Sequence, residues 1–402
     1  MAEHPTRDDI ELASGAFWAG DHHEALTWMR ANAAVYWDGQ VWGITRYDDL
    51  KEVSRHPDLF SSAGGIRPGF PALPMMIDMD DPEHLKRRKL VNRGFTPRRV
   101  RDSETDVRAA CSEILDAVCE RGEADFVFDI AAMLPMIMIG DALGVRPEHR
   151  ADLLRWSDEM VKGQDVHATP EQMEAAGTAF AEYWAYATEV IAARRAEPKD
   201  DLMSVLVHAE VDGDRLSDDE IVHESLLILV GGDETTRHVL TGGVHQLLVD
   251  PDRWARVVGD PEVRPSAIEE MLRWVTPIKN MARTVTRDTE LRGQRLEAGQ
   301  EVLLLYPSAN RDEDVFEDPF RFDVERTPNE HVAFGFGPHF CLGASLARLE
   351  ISVMLEELAT RLPDLALIDP GAAPPLRPAN FVSGIEHLPV RFTPTAPVGA
   401  RT

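Results

Sequence analysis

The sequence predicts a mainly α protein with small β-sheets, and three observations carry that expectation. From about residue 82 to 250 apolar residues recur with mainly helical spacing. The short runs that read as strands lie before or after that stretch. No internal repeat, low-complexity run or long linker divides the 402 residues, so one domain is expected, with polar tails at about 1–15 and 395–402.

Taken in order, residues 35–44 (VYWDGQVWGI) read as a β-hairpin turning at Asp38-Gly39. Residues 61–76, dense in Gly and Pro, read as a loop. Ser217 and Glu220 form an S-x-x-E capping box, and the helical pattern then runs unbroken to about Val249. Such a rod is ~48 Å long, enough to cross the whole protein. Ile268, Met271, Leu272 and Val275 mark the buried stripe of a helix over 264–275, on which Glu270 and Arg273 stand three apart. Residues 291–305 read as strand, turn and strand, and 365–368 and 390–392 as further strands.

Composition excludes several function classes. A formal charge of −28 disfavours nucleic acid and anionic membranes as partners. The longest apolar stretch, 130–140, is eleven residues with Pro135 inside it and Asp129 and Asp141 at its edges, whereas a membrane span needs about 20. The opening MAEHPTRDDIELAS has neither a signal-peptide core nor an anchor helix, so a cytoplasmic protein without a membrane anchor is expected. Three cysteines argue against a disulfide framework, and Cys111 and Cys119, eight apart on a helix, read as core. One region breaks the acidic pattern. Lys86, Arg87, Arg88, Lys89, Arg93, Arg98, Arg99 and Arg101 follow one another with no acid between them. The bland reading is a solvated helix face; the functional one is a dock for an acidic partner.

Two stretches carry chemistry. Residues 334–343 read FGFGPHFCLG and set Cys341 after a Gly- and Pro-bearing loop and before a helical pattern. A thiol at a helix N-terminus sits among unpaired N–H groups that favour the thiolate. With no second Cys or His at chelating spacing, that thiolate suits one axial bond to an iron whose other ligands come from a porphyrin. His339 with Cys341 makes too few ligands for a zinc site. The middle of the long helix reads LLILVGGDETTRHVL. Two glycines in a helix interior cost ~1 kcal/mol each relative to alanine, so Gly231 and Gly232 are expected to open one face for a bulky flat group. Asp233, Glu234 and Thr235 follow with carboxylates and a hydroxyl.

The pattern Phe-x-x-Gly-x-x-x-Cys-x-Gly, here Phe334, Gly337, Cys341 and Gly343, resembles the haem-binding loop of the cytochrome P-450 superfamily. Gly231 to Thr235 resemble its oxygen-activating helix, and Glu270 with Arg273 its Glu-x-x-Arg pair. The resemblance, which runs from about residue 35 to 395, implies a haem b held by Cys341 in a fold with a long central helix beside it. It implies propionate partners at His84, Arg88, Arg283 and His339, and a structural third member of the Glu-x-x-Arg group in DPFRFDVER. Arg321 or Arg326 could serve there, and Arg321 is preferred because it fits Pro-x-Arg-Phe.

The implied reaction inserts one oxygen atom from O₂ into a C–H bond, with Thr235 ordering water and Glu234, with Asp233, relaying protons. Electrons would come from a ferredoxin and an NAD(P)H-dependent reductase, docking on Lys86, Arg87, Lys89, Arg93 and Arg98. ESLLILVGGDETTRH, EEMLRWVTPIKNMAR and LRPANFVSG are similar to the actinobacterial hydroxylases of the terminal side-chain methyl of cholesterol or cholest-4-en-3-one. The pocket is expected from Met75, Met76, Ile77, Leu226, Val230, Gly231, Val275, Ile278, Phe381 and Val382. Two other readings stand beside this one. The first is a haem-thiolate protein that binds a ligand or uses peroxide; the second is a monooxygenase of a fatty acid, terpene or polyketide. A fatty acid would call for a cationic anchor, for which Arg67 and Lys279 are the candidates.

Overall fold

The long helix, Asp218–Val249, organises the molecule, and both halves of its predicted capping box form. The computed structural model describes residues 5–399 apart from 166 and 212, so the ends of both predicted tails lie outside the described residues. Among the helices that pack around the long one are Met133–Ala142, Arg150–Lys162, Pro170–Ala196, Arg264–Val275 and Ala344–Arg361. Surrounded on most sides, it buries polar as well as apolar residues, among them Glu224, Ser225, Asp233, Glu234, Arg237 and His238. A helix of that kind belongs to a core, and each buried polar group needs an account.

The glycine pair splits in function. A Cβ on Gly232 would lie 2.6 Å from Cδ1 of Ile139, so that glycine lets helix Met133–Ala142 approach. A Cβ on Gly231 would meet nothing within 4 Å. Both glycines line the cavity described below, so Gly232 serves helix packing as well as open space. Further along, Gly242 admits Val275 at 2.8 Å from where its Cβ would be, and Gly243 admits Met271.

The strands are β1 (Val35–Trp37), β2 (Trp42–Ile44), β3 (Phe60–Ser61), β4 (Glu123–Asp125), β5 (Ala282–Val285), β6 (Thr289–Leu291), β7 (Gln294–Leu296), β8 (Glu301–Leu304), β9 (Ala366–Leu367) and β10 (Pro389–Arg391). The predicted hairpin is β1–β2, with Gly39 at φ +105° in its turn. It joins a five-stranded sheet of order β1-β2-β8-β5-β3, in which β2 and β8 are parallel. The predicted strand, turn and strand over 291–305 divides. Arg292 and Gly293, both at positive φ, turn the β6–β7 hairpin, and β8 leaves for the larger sheet. A third sheet, β4-β10-β9, includes the strands expected near 366 and 390. Its member β4 and the π-helical turn Phe126–Ala131 interrupt the stretch that reads as helical in sequence. Their cause is remote, since β4 finds its partner in β10.

Beneath helix Arg264–Val275 lies a buried ionic knot. Arg273 donates to both carboxylate oxygens of Glu270 at 2.7 Å, and both side chains are fully buried. Glu270 also accepts from Nε of Arg326 at 3.1 Å, from Asn329 at 3.1 Å and from the Asp323 N–H at 2.8 Å. The third member is therefore Arg326. Arg321 points to solvent, 66% exposed, and contributes only its carbonyl, which accepts from Arg273 and Arg326. No helix among the described residues is long and apolar enough to cross a membrane.

Arg326→Ala should therefore destabilise the protein strongly, on the order of 3 kcal/mol, because it strips one cation from a buried carboxylate. Arg321→Ala should stay within about 0.5 kcal/mol of the parent. Thermal unfolding of the two variants, with Arg321→Ala as the more damaging one, would reverse the assignment.

Candidate active site

One cavity of about 1430 Å³, mouth included, lies between the long helix, the cysteine helix Ala344–Arg361 and the first half of the chain. Cys341 stands on its floor. Gly335 and Gly337 take φ of +71° and +74°, and a Cβ on Gly337 would lie 2.6 Å from the Ser54 carbonyl. Only glycine fits that close approach. The Cys341 N–H closes the loop on the Phe334 carbonyl at 2.9 Å. Phe334 lies under the Arg348 guanidinium, 4.6 Å from the ring centre, and lines the cavity. Gly343 has nothing within 4 Å of where its Cβ would stand, so the floor beside the thiol is open.

The thiol itself departs from expectation. Burial pushes Cys341 up, against the Gly343 and Ala344 N–H groups and the charges of Arg88 and Arg348, which pull it down. The helix begins at Ala344, beyond the cysteine, and its N-terminus alone does not ionise the thiol. A metal bond deprotonates such a thiol outright.

All four predicted propionate partners line this cavity. The His84 and His339 rings stack at 4.1 Å, and His339 Nε2 lies 3.2 Å from the Ser62 hydroxyl. His84 Nε2 is buried without a partner. Arg88 donates to the Phe340 carbonyl and Arg283 to that of Ala282. Among the described residues neither arginine has an acid at ion-pair distance, although the chain carries 70 acids against 42 Lys and Arg. Two forked cations and an orphaned ring nitrogen beside an open floor fit a flat group bearing two carboxylates. The site therefore suits haem.

On the opposite wall Gly231, Thr235 and Thr236 line the space, and the Thr235 hydroxyl donates to the Gly231 carbonyl at 2.7 Å. Glu234 is turned away. It accepts from Arg237 at 2.6 Å and Arg377 at 2.8 Å, and Asp158 joins both arginines at 3.1 and 3.0 Å. Those cations hold the Glu234 carboxyl well below the usual range against its burial. Asp233 is the reverse case. Among the described residues neither of its oxygens has a hydrogen-bond donor, and burial and the Glu234 charge push it well above the ordinary range. Glu350, on the cysteine helix, lines the cavity and is pushed up to about 8 by burial and by Asp233. The sequence reading missed Glu350. The available signal was its place on the apolar stripe of Ala347, Ile351 and Met354, where a charge has no routine reason to stand.

Four of the ten expected pocket residues line the cavity. Met76, Ile77, Gly231 and Ile278 line the cavity, together with Leu227, Ile228, Ile139 and Met281. Met75, Leu226, Val230, Val275, Phe381 and Val382 do not. Leu226 and Val230 are one residue out of phase and pack into the core behind, with Met75. Val275 fills the notch at Gly242. Phe381 and Val382 back the wall from behind, through a hydrogen bond from the Lys279 N–H to the Phe381 carbonyl and a bridge from Val382 to Ile278. The basic island also divides. Lys86 pairs with Asp214 at 2.7 Å, and Arg87 is tied to Glu220 and Glu224 at 2.5 and 3.1 Å. Lys89 and Arg93 are exposed, and exposed Arg98 has only a loose contact with Asp102 at 3.4 Å.

A family model described as cytochrome P-450 matches residues 262–362. The chain is 56% identical over 401 residues to the steroid C26-monooxygenase of Mycobacterium tuberculosis, covering 99% of this chain and 100% of that protein. It is similar in structure to a Mycobacterium marinum cytochrome P-450 in complex with pseudoionone, with a TM-score of 0.89 and 34% identity over 98% of this chain and 100% of the other. A Bacillus megaterium protein in complex with testosterone gives a TM-score of 0.86 and 35% identity over 93% and 98%. The chain belongs to the cytochrome P-450 family. It is a monooxygenase that carries haem on a cysteine thiolate and draws electrons from a redox partner.

The raised carboxyls make stability depend on pH. Asp233 and Glu350 are protonated in the fold where an unfolded chain has already lost those protons, so stability falls as pH rises from the ordinary carboxyl range towards about 8. Asp233→Asn should flatten that fall, as read by thermal unfolding between pH 5 and 9; an unchanged slope would contradict the shift.

Proposed function

We propose that this enzyme oxidises the terminal methyl of a steroid side chain, with cholesterol or cholest-4-en-3-one as substrate and Cys341 as the thiolate ligand. The carrying observation is an apolar cavity with a lone thiol on its floor and the Gly231–Thr235 segment on its wall. In support, the 56% identical relative bears the name steroid C26-monooxygenase. The fatty-acid reading loses its anchor. Arg67 is neutralised by Asp78 at 2.5 Å, and Lys279 donates to the Thr276 carbonyl at 3.0 Å.

His84, Arg88, Arg283 and His339 hold the haem propionates in this reading, and the bound haem supplies oxygen activation. Protein groups then manage water and protons. Thr235, able to exchange its bond to the Gly231 carbonyl for a water, orders solvent at the cavity wall. Glu350, neutral at physiological pH and facing the cavity, gives a proton to that water and is reprotonated through Asp233. Glu234, ionised and clamped by two arginines, keeps the helix turn in place, and the proton role expected of it passes to these two carboxyls. The redox partner is a ferredoxin that docks on Lys89, Arg93 and Arg98 beside the exposed side chains of Leu85 and Phe340. Arg87 is engaged internally and takes no part.

The first test is an optical titration of the ferric protein with cholest-4-en-3-one, for which a saturable Soret shift towards the high-spin position is expected. A thiolate-haem spectrum that ignores the steroid would remove this substrate. Thr235→Ala should leave steroid binding intact while NADH is consumed without matching product; full coupling would instead favour a peroxide user or a ligand-binding protein. Charge reversal at Arg93 and Arg98 should slow reduction by the ferredoxin in a salt-dependent way with an unchanged haem spectrum. Equal reduction rates would reject the docking face.

A further inference from the structure

A second carboxyl of the long helix takes no part in this chemistry, yet its contacts lead to three walls of the cavity. Glu224 is fully buried. Its Oε1 accepts the Met76 N–H at 2.8 Å and Nη1 of Arg87 at 3.1 Å, while Oε2 is buried without any partner. Each contact leads to the cavity. Met76 and Ile77 line it from the loop, Arg88 follows Arg87 and lines it at the haem edge, and Leu227 and Ile228 line it one turn beyond Glu224.

The loop is folded on a carboxylate of its own. Asp78 accepts the Ile66 N–H at 2.9 Å, the Leu73 N–H at 2.8 Å and Arg67 at 2.5 Å, so residues 66–78 form one knotted unit. At its start that unit is tied to β5, through the Ala282 N–H and the Ile66 carbonyl at 2.8 Å. Besides the burial of Met75 and Met76 in the apolar cluster that holds Leu226 and Ile228, its tie to the long helix is the bond from Met76 to Glu224. Other ties hold the loop to the sheet and close its base, from the Gly69 backbone to Glu301 and from the Ser62 N–H to Asp80 at 2.8 Å, so release of Glu224 frees the edge that faces the long helix.

We propose that Glu224 is a positioning residue, the latch that fastens the substrate-facing loop to the long helix and to the Arg88 helix and so governs passage into the cavity past Met76 and Ile77. That the passing molecule is a steroid rests on the reading above; the latch itself does not. The charged groups around Glu224 are Arg87, Glu220 one turn earlier on its own helix, and the Lys86–Asp214 pair at the surface. The loop adds only Asp78, which Arg67 neutralises. Burial lifts Glu224 to about 7 against the pull of Arg87 and of the Met76 N–H, so a proton taken up just below neutrality weakens the latch.

The test is stopped-flow exchange of two probes on the holoenzyme, imidazole and cholest-4-en-3-one, each followed at the Soret band between pH 6 and 8. Imidazole enters the cavity whatever the natural substrate is, so failure of the steroid to bind leaves the latch testable. In the parent, exchange of both probes should quicken as pH falls. Glu224→Gln should be about tenfold faster at pH 8, as befits the loss of a charged hydrogen bond, and should lose most of the pH dependence. Asp233 and Glu350 remain in that variant, and any residual dependence is theirs. Arg87→Gln should give the same acceleration should the Glu224 variant fail to fold. Exchange rates and pH profiles equal to the parent's in a folded variant, or an acceleration confined to the steroid with imidazole unmoved, would overturn the proposal.

Discussion

A thiol in an apolar cavity is useful as an iron ligand only where the backbone holds it bare and still, and that stillness is built from the Glu270–Arg273–Arg326 knot outward. Arg273 reaches from the knot to the Asn310 carbonyl at 2.8 Å, and Asn310 Oδ1 accepts the Val332 N–H at 2.7 Å, two residues before Phe334. The Asn310 amide is fixed in turn by the Thr276 hydroxyl at 2.9 Å. An unbroken chain of buried hydrogen bonds thus runs from an ion pair to the loop that carries Cys341. Buried ion pairs contribute little net stability, since desolvation offsets attraction. Geometry is what this one supplies.

The same desolvation sorts the carboxyls near the cavity into two kinds. Glu234, Glu269 and Glu270 each have an arginine at hydrogen-bond distance and serve as fixed anions that brace helices. Asp233 and Glu350 have none, and burial keeps them neutral. Two adjacent residues of one helix, Asp233 and Glu234, therefore hold opposite protonation states through partners alone. At the far edge the balance inverts, and Arg88 and Arg283 face the cavity without acids. An acidic protein thereby keeps a cationic edge on this cavity and neutral carboxyls where solvent is scarce.

Much of this was legible in the chain because it is local. The capping box marks the start of the long helix, the Asp38-Gly39 turn marks a hairpin, and the cysteine loop carries glycines that its own backbone requires. These depend on residues within a few positions of one another, and local sterics and hydrogen bonding decide them. The residues of the haem edge were legible through resemblance, and they converge on one cavity as expected.

What the chain did not disclose depends on rotation and on distant partners. Periodicity marks a helix without telling which way its faces point, so Leu226 and Val230 were expected where Leu227 and Ile228 stand. Arg321 and Arg326 are alike in sequence, and only the path of the chain around Glu270 separates them. Arg87 reads as a free surface cation until Glu224, 137 residues away, lies beside it. By itself the sequence determined the helical frame, the thiol and the family chemistry, because each rests on short-range pattern. Tertiary structure alone decided which carboxyls are charged, which cations are free and which side chains face the substrate, because burial and pairing arise only once distant segments meet.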